Sequence, residues 1–172
     1  QADEVAVALR WTALSPTRTA DAILQINLAD DFEEFRDAAR SFEVPSQNML
    51  YADVDGHIGY QMPGTIPIRP DGNDGTMPVQ GWDSSNDWLG YIPFEQLPWE
   101  LDPPEEYIVT ANQAVIEDYP YVLGKDWAYG YRSQRLSDLI ESSPPLTPDS
   151  AARLMFDNHN GFAQVLISEL FD

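Results

Sequence analysis

Cysteine is absent from this 172-residue chain, which excludes a disulfide framework, a zinc-thiolate site and a cysteine nucleophile. The absence is silent about compartment, because secreted proteins also do without cysteine. Basic residues are scarce: nine Lys and Arg stand against 29 Asp and Glu, a formal net charge of −20. They form no cluster, which argues against nucleic acid and against an anionic membrane surface as partners. Histidine occurs only as His57 and His159. Neither joins a Ser-His-Asp set, and no H-E-x-x-H or G-x-S-x-G occurs, so both read as surface residues. No run of 18 apolar residues and no signal peptide are visible. Gln1 opens the chain without Met, and Phe171-Asp172 closes it inside an amphipathic pattern. On that ground the chain reads as an excised piece of a longer protein.

What is present is enough for a core. Apolar residues make up 43% and aromatics 12%, too many for an acidic disordered tail. "VAVALRWTAL" over residues 5–14 alternates and predicts a strand. Residues 19–28 and 32–42 predict helices, the second with Phe32, Phe35, Ala38, Ala39 and Phe42 at spacings of three and four. Pro45 closes that segment. "QNMLYADVDGHIGYQ" holds two alternating runs joined at Asp55-Gly56, a hairpin signal. An EF-hand loop aligned on Gly56 would place Tyr51 and Met62 at its first and last ligand positions, and neither binds calcium. Residues 62–106 are rich in Pro, Gly, Asp and Trp. The series Trp82, Trp88, Tyr91, Phe94 and Trp99 implies an ordered, packed excursion that covers a core face or lines a cleft. Tyr107 to Thr110 predicts a buried strand and residues 131–142 a helix ended by Pro144-Pro145. A second helix begins in "LTPDSAARLMFD", with Thr147 as cap and Pro148 first. The sum is one α+β domain over 1–172: strand and helices to 61, an irregular aromatic segment over 62–106, then strand and helices over 107–172.

Two polar sites stand out. Asn112 and Gln113 put neutral amides at the end of the Tyr107 strand, either to turn the chain or to present an N–H to a ligand. Arg132, in "WAYGYRSQR", is either the partner of a buried carboxylate or a group oriented toward a site. The abundance of carboxylates makes any particular acid/base pair weak evidence, since most carboxylates are solvated surface.

In order along the chain, "VPSQNMLYADVDGHIGYQMPGTIPIR", "GWDSSNDWLGYIPFEQLP", "YIVTANQAVIEDYP" and "GYRSQRL" resemble the penicillin acylase family of N-terminal nucleophile hydrolases. The resemblance implies an αββα sandwich made from a precursor that cuts itself into two chains. It also implies a serine nucleophile at the new N-terminus, activated by its own α-amine; such a serine needs no histidine. Neither Gln1 nor Ser15 matches it, so the chain reads as an interior slice of the nucleophile-bearing chain, inactive alone.

Carried over by the resemblance, Asn112 is the oxyanion-hole amide and Arg132 an organiser of the active site. Gln113 replaces a second asparagine, its role open. Gln47 falls on the wall of the acyl pocket, where a polar side chain weakens the case for a phenylacetyl group and makes a fatty-acyl or amino-acyl amide an equal alternative. No catalytic cofactor is implied. A structural calcium is, through a backbone carbonyl near "NDGTMP" with most carboxylate ligands outside this segment. The implied partners are a small N-acyl amide, a penicillin or an acyl-homoserine lactone among them, and the rest of the processed precursor, in the periplasm or secreted. The rival reading is a non-catalytic extracellular module that stacks a carbohydrate or peptide on the Trp/Tyr-rich loop.

Overall fold

Burial of one apolar stripe organises the first part of the chain. In the computed structural model, which describes residues 6–143 and 145–171, helix α1 is Thr19–Ile26 and α2 is Phe32–Ala39, each slightly shorter than its apolar pattern. Asp31 caps α2: its Oδ1 accepts the Glu34 N–H at 2.8 Å, while Glu34 Oε2 accepts the Asp30 N–H at 3.0 Å. A cap of this kind is worth about 1 kcal/mol. Phe32, Phe35, Ala38, Ala39 and Phe42 are buried, with Ala22 of α1 fully so. The Thr19 hydroxyl accepts the Glu43 and Val44 N–H groups and donates to the Val44 carbonyl, fixing the exit from this helical pair. A cis peptide joins Val44 to Pro45.

The hairpin follows. Strands β1, Met49–Ala52, and β2, Ile58–Gln61, pair antiparallel with Ala52 opposite Ile58. Asp55-Gly56 lies at the turn, as the sequence suggests, but the connection is longer than a two-residue loop. Asp53 Oδ1 accepts the N–H groups of Asp55 and His57, both at 2.9 Å, and Gly56 takes φ +96°, a left-handed conformation costly to other residues. Residues 62–106 carry only short strands and 3-10 turns. β3, Pro67–Ile68, pairs with β4, Gly90–Tyr91, and β5, Trp99–Leu101, pairs with β2. Met62, Ile66, Ile92 and Leu97 are buried, whereas Trp82 is 84% exposed. The Phe32 ring packs against Gly59 of β2, where a Cβ would stand 2.3 Å from it.

Gln61 is buried completely, and its Oε1 accepts the Arg36 Nε–H at 2.8 Å. Guanidinium groups cover the rings of the aromatic series: Arg36 over Trp99 at 4.0 Å, Arg10 over Trp88 at 4.3 Å and Arg40 over Phe94 at 4.4 Å.

Contacts divide the chain into two units, Gln1–Ile108 with Asp118–Lys125, and Val109–Glu117 with Asp126–Asp172. The second carries α3, Tyr131–Glu141, α4, Pro148–Leu154, and α5, Gly161–Phe171. Thr147 and Ser150 form a reciprocal capping box on α4, with Pro148 in the first turn. Pro144, half of the expected stop after α3, lies outside the described residues. Tyr131 packs on Phe162 with ring centroids 5.7 Å apart, and Arg135 grips Asp157 with two bonds of 2.9 and 3.0 Å. α5 is apolar over most of its circumference, and Phe162, Val165, Leu166, Ile167, Leu170 and Phe171 are exposed, as are Ile23, Leu24 and Leu28 in and after α1.

Two expected strands are absent from the described residues. Val5 is not described; residues 6–14 form no strand and end in a single 3-10 turn, Thr12–Leu14, with Val7, Leu9, Trp11 and Leu14 exposed. An alternating run becomes a strand only when a second edge takes its backbone groups, and among the described residues none does. Residues 107–110 form no strand either, because a side chain takes the place of a neighbouring edge there, as follows.

Candidate active site

Asn112 sits in the second unit at φ +64°, a left-handed conformation that Asn tolerates better than most residues. Three neighbours hold it there. The Gln113 side chain folds back, its Nε2 donating to the Val109 carbonyl at 2.8 Å and its Oε1 accepting the Ala111 N–H at 2.6 Å. The Ala128 N–H donates to the Asn112 carbonyl at 2.7 Å. Arg132 Nη2 donates to the Ala111 carbonyl at 2.8 Å and to Asn112 Oδ1 at 2.7 Å. Arg132 is the second residue of α3, and Gly130, at φ +80°, turns the chain into that helix.

The chemistry of the pair follows from donor counting. A guanidinium carries only donors, so the Asn112 atom facing it is the amide oxygen. The NH2 end is therefore the end that Arg132 does not engage. A charge-assisted bond to Oδ1 also draws electron density from the amide and strengthens its N–H groups as donors. Both side chains are exposed. The arrangement can hydrogen-bond an oxygen that gains negative charge; it contains no nucleophile and no base.

Of the expected site residues, the structure brings Asn112 and Arg132 together. Gln47 belongs to the first unit, exposed in the irregular stretch that leads into β1. Gln113, whose role the resemblance left open, braces the residues just before Asn112, and Ala128, which holds the Asn112 carbonyl, was not expected as part of the site. The amide pair in "TANQ" was the signal available for Gln113; for Ala128, whose contribution is a backbone N–H, there was none.

Both histidines are exposed, as read from the sequence, but His57 is engaged: its Nδ1 lies 2.7 Å from Asp102 Oδ2, and Asp102 Oδ1 accepts the Ile58 N–H at 3.0 Å. The hydrogen bond to Asp102 raises the His57 pKa, and the same bond, followed by that from Ile58, lowers that of Asp102.

A calcium ion would find little side-chain support near "NDGTMP". Asp74 Oδ1 accepts the Thr76 hydroxyl and N–H, and its Oδ2 pairs with Lys125 Nζ at 2.9 Å. The Thr76 hydroxyl, then Lys125, hold this carboxyl well below the usual range. The ammonium of Lys125 already occupies the place of a cation, so side chains here do not fit the ion and only backbone carbonyls remain. Among the described residues no group of three His, Asp or Glu could hold a metal.

The penicillin amidase family model matches residues 1–172. The penicillin acylase 2 proenzyme of Pseudomonas sp. strain SE83 is 35% identical over 138 residues, 80% of this chain and 18% of that protein. The acyl-homoserine lactone acylase QuiP of Pseudomonas fluorescens strain Pf-5 is 35% identical over 161 residues, 93% of this chain and 20% of that protein. Among solved structures, the thermostable penicillin G acylase from Alcaligenes faecalis superposes with a TM-score of 0.67 at 31% identity, covering 77% of this chain and 24% of that one. The chain thus spans about a fifth of the length of these curated relatives.

Proposed function

From the premise that the chain belongs to the penicillin amidase family, we propose that it is part of an amidohydrolase that cleaves N-acyl amides through an acyl-enzyme. Its α+β architecture is that of part of an N-terminal nucleophile hydrolase. The observation that carries the reading is the Arg132 guanidinium bound to Asn112 Oδ1, which aims the reactive end of a neutral amide away from the cation.

In this reading the nucleophile is an N-terminal serine outside residues 1–172. Its Oγ attacks the amide carbonyl as its proton passes to the serine's own α-amine, the C=O π pair moves onto oxygen, and Asn112 Nδ2 donates to that oxyanion. Collapse of the intermediate breaks the C–N bond as the α-amine returns that proton to the leaving nitrogen, the amine departs, and water then hydrolyses the ester, releasing the acid and restoring the serine hydroxyl. Asn112 favours the transition state over the ground state because its bond strengthens as charge develops. Arg132 positions Asn112 and adds no net charge beyond its own. Gln47 lines the acyl pocket. The partners are the remaining chains of a self-processed precursor, and the setting is periplasmic or secreted. A structural calcium, if bound, draws its carboxylates from outside this segment. The relatives bear names of penicillin and acyl-homoserine lactone acylases, and the substrate class common to both is the N-acyl amide.

The test uses the full-length, processed protein. Asn112→Ala is expected to lower kcat by about 10²–10³, with little change in KM, the usual loss for one oxyanion donor. A folded, processed Asn112→Ala protein that keeps kcat within about threefold overturns the role. Gln47→Leu is expected to shift the preference among acetyl, octanoyl and phenylacetyl amides by about 1–3 kcal/mol in kcat/KM. Identical ratios in both proteins would remove Gln47 from the acyl pocket.

A further inference from the structure

Arg69 is the exception among the arginines of the first unit. Arg10 pairs with Asp87, Arg18 with Asp21, Arg40 with Asp37 and Glu95, and Arg36 with Gln61. Arg69, half-buried, has no hydrogen bond or ion pair with any described residue, in a chain whose net charge is −20. The carboxylate of Asp74, five positions along the chain, is committed to Thr76 and Lys125. The guanidinium itself lies against Gly75, where a Cβ would stand 2.8 Å from Nε and 3.1 Å from Nη2, so the absence of a side chain there is what gives the group its place. A guanidinium that is partly desolvated, held in place and unpaired is the arrangement expected of an anion receptor rather than of a solvated surface charge.

Arg69 lies on the wall of a cleft of about 220 Å³, built wholly from the first unit. Trp88, half-buried, forms another wall, with the Arg69 guanidinium 6.0 Å from its ring centroid and Arg10 covering it at 4.3 Å. Val44 and Ile66 add apolar surface, and Thr65 lines the same space. Glu43 stands on the cleft as well, its Oε2 accepting the Arg18 N–H at 2.8 Å. The Arg10–Asp87 pair is self-compensating, Glu43 meets a backbone N–H and adds one negative charge to the lining, and Arg69 is the cation of the cleft without an acceptor among the described residues.

We propose that this cleft binds a small aromatic carboxylate, the carboxylate on the Arg69 fork and the ring against Trp88. The volume selects the size, because pockets for drug-sized ligands begin at about 300 Å³. The single free guanidinium selects the charge: a carboxylate matches its planar pair of donors, while a dianionic phosphate would leave charge uncompensated beside Glu43. Trp88 selects the flat body, through offset stacking beside two guanidinium groups. None of these residues takes part in the proposed amide cleavage.

Calorimetric titration of the full-length protein with sodium benzoate, and with benzamide as the neutral isostere, tests the proposal. Benzoate is expected to bind one to one, with the same Kd in the parent and in Asn112→Ala. Arg69→Gln is expected to raise Kd at least about tenfold, and benzamide to bind at least about tenfold more weakly than benzoate, as loss of a charge-assisted bidentate pair requires. Arg69→Lys, which keeps the charge without the fork, should fall between, and Trp88→Phe should weaken binding without abolishing it; these two decide the matter if Arg69→Gln does not fold. No one-to-one binding in the parent, equal affinity for benzamide, or a parent-like Kd in every Arg69 variant that folds overturns the proposal. So does loss of binding in folded Asn112→Ala, which would put benzoate in the amide-cleaving site instead.

Discussion

Gln113 does with a side chain what a neighbouring strand would do with its backbone. Its amide satisfies one carbonyl and one N–H two residues apart, at Val109 and Ala111, and so holds Asn112 in a left-handed turn that has no ladder to support it. The pairing needs both ends of an amide. In Gln113→Glu one oxygen still accepts from Ala111, but the other faces the Val109 carbonyl, and the two oxygens repel. On the proposed function, kcat of Gln113→Glu is expected to fall by about 10²-fold, the scale of an ångström-sized misplacement of a reacting group. Gln113→Ala should lose less, since water can replace an absent side chain but not an opposed charge. Steady-state kinetics beside circular dichroism checks this; a folded Gln113→Glu protein with parental kcat would show that the fold-back does not position Asn112. At this scale the sequence was readable for residue type: an amide at the end of an apolar run, and an arginine after a glycine. Residue type and spacing could not reveal that Arg132 and Asn112 bond to each other, because twenty positions separate them; it was the family resemblance that set the arginine near the asparagine.

Local patterns were legible wherever a buried stripe and a local stop signal agree. α2 carries both: the Phe32-Phe35-Ala38-Ala39 stripe and an aspartate cap. The hairpin carries alternation and Asp-Gly. The runs at 5–14 and 107–110 have the composition of strands and do not pair, because a strand is a relation between two segments and composition describes one. His57 and Asp102 are a case of the same kind, a contact across the β2–β5 edge that no local pattern announces. Its pH dependence follows from the two shifts. His57, with its pKa raised by the hydrogen bond to Asp102, contributes stability that is fully present below the unfolded imidazole value of about 6.5 and is lost as pH rises through its higher folded value. Asp102, with its pKa lowered by the His57 bond, contributes above the unfolded carboxyl value of about 3.9 and loses that contribution as pH falls through its lower folded value. The pair therefore helps most between those limits. Thermal melts of the parent and His57→Ala should differ more at pH 5.5 than at pH 8.5, and an NMR titration should place the His57 midpoint above that of a free imidazole. Equal differences at both pH values would mean that the pair contributes nothing.

Over the whole molecule, two surface properties act against each other. The net charge of −20 keeps copies apart at long range, while the exposed apolar side chains of α5 and of α1 with Leu28 attract at short range. Salt removes the first and leaves the second, since the screening length shrinks from about 30 Å at 0.01 M to about 3 Å at 1 M. A polypeptide of residues 1–172 should therefore scatter light as a monomer at low ionic strength and self-associate as salt is added; a hydrodynamic radius independent of salt would show that those faces are not adhesive. Composition announced the charge, but which apolar residues remain outside depends on the assembled fold. The same scarcity of basic residues also leaves Lys125 as the chain's sole lysine, joined to Asp74 at 2.9 Å and more than half exposed. An amine-directed dye or cross-linker thus has one side-chain address. Attachment there abolishes the ammonium that ties residues 118–125 to the loop at 73–76, so a fluorophore on Lys125 would report through its own anisotropy whether that strap stays fastened.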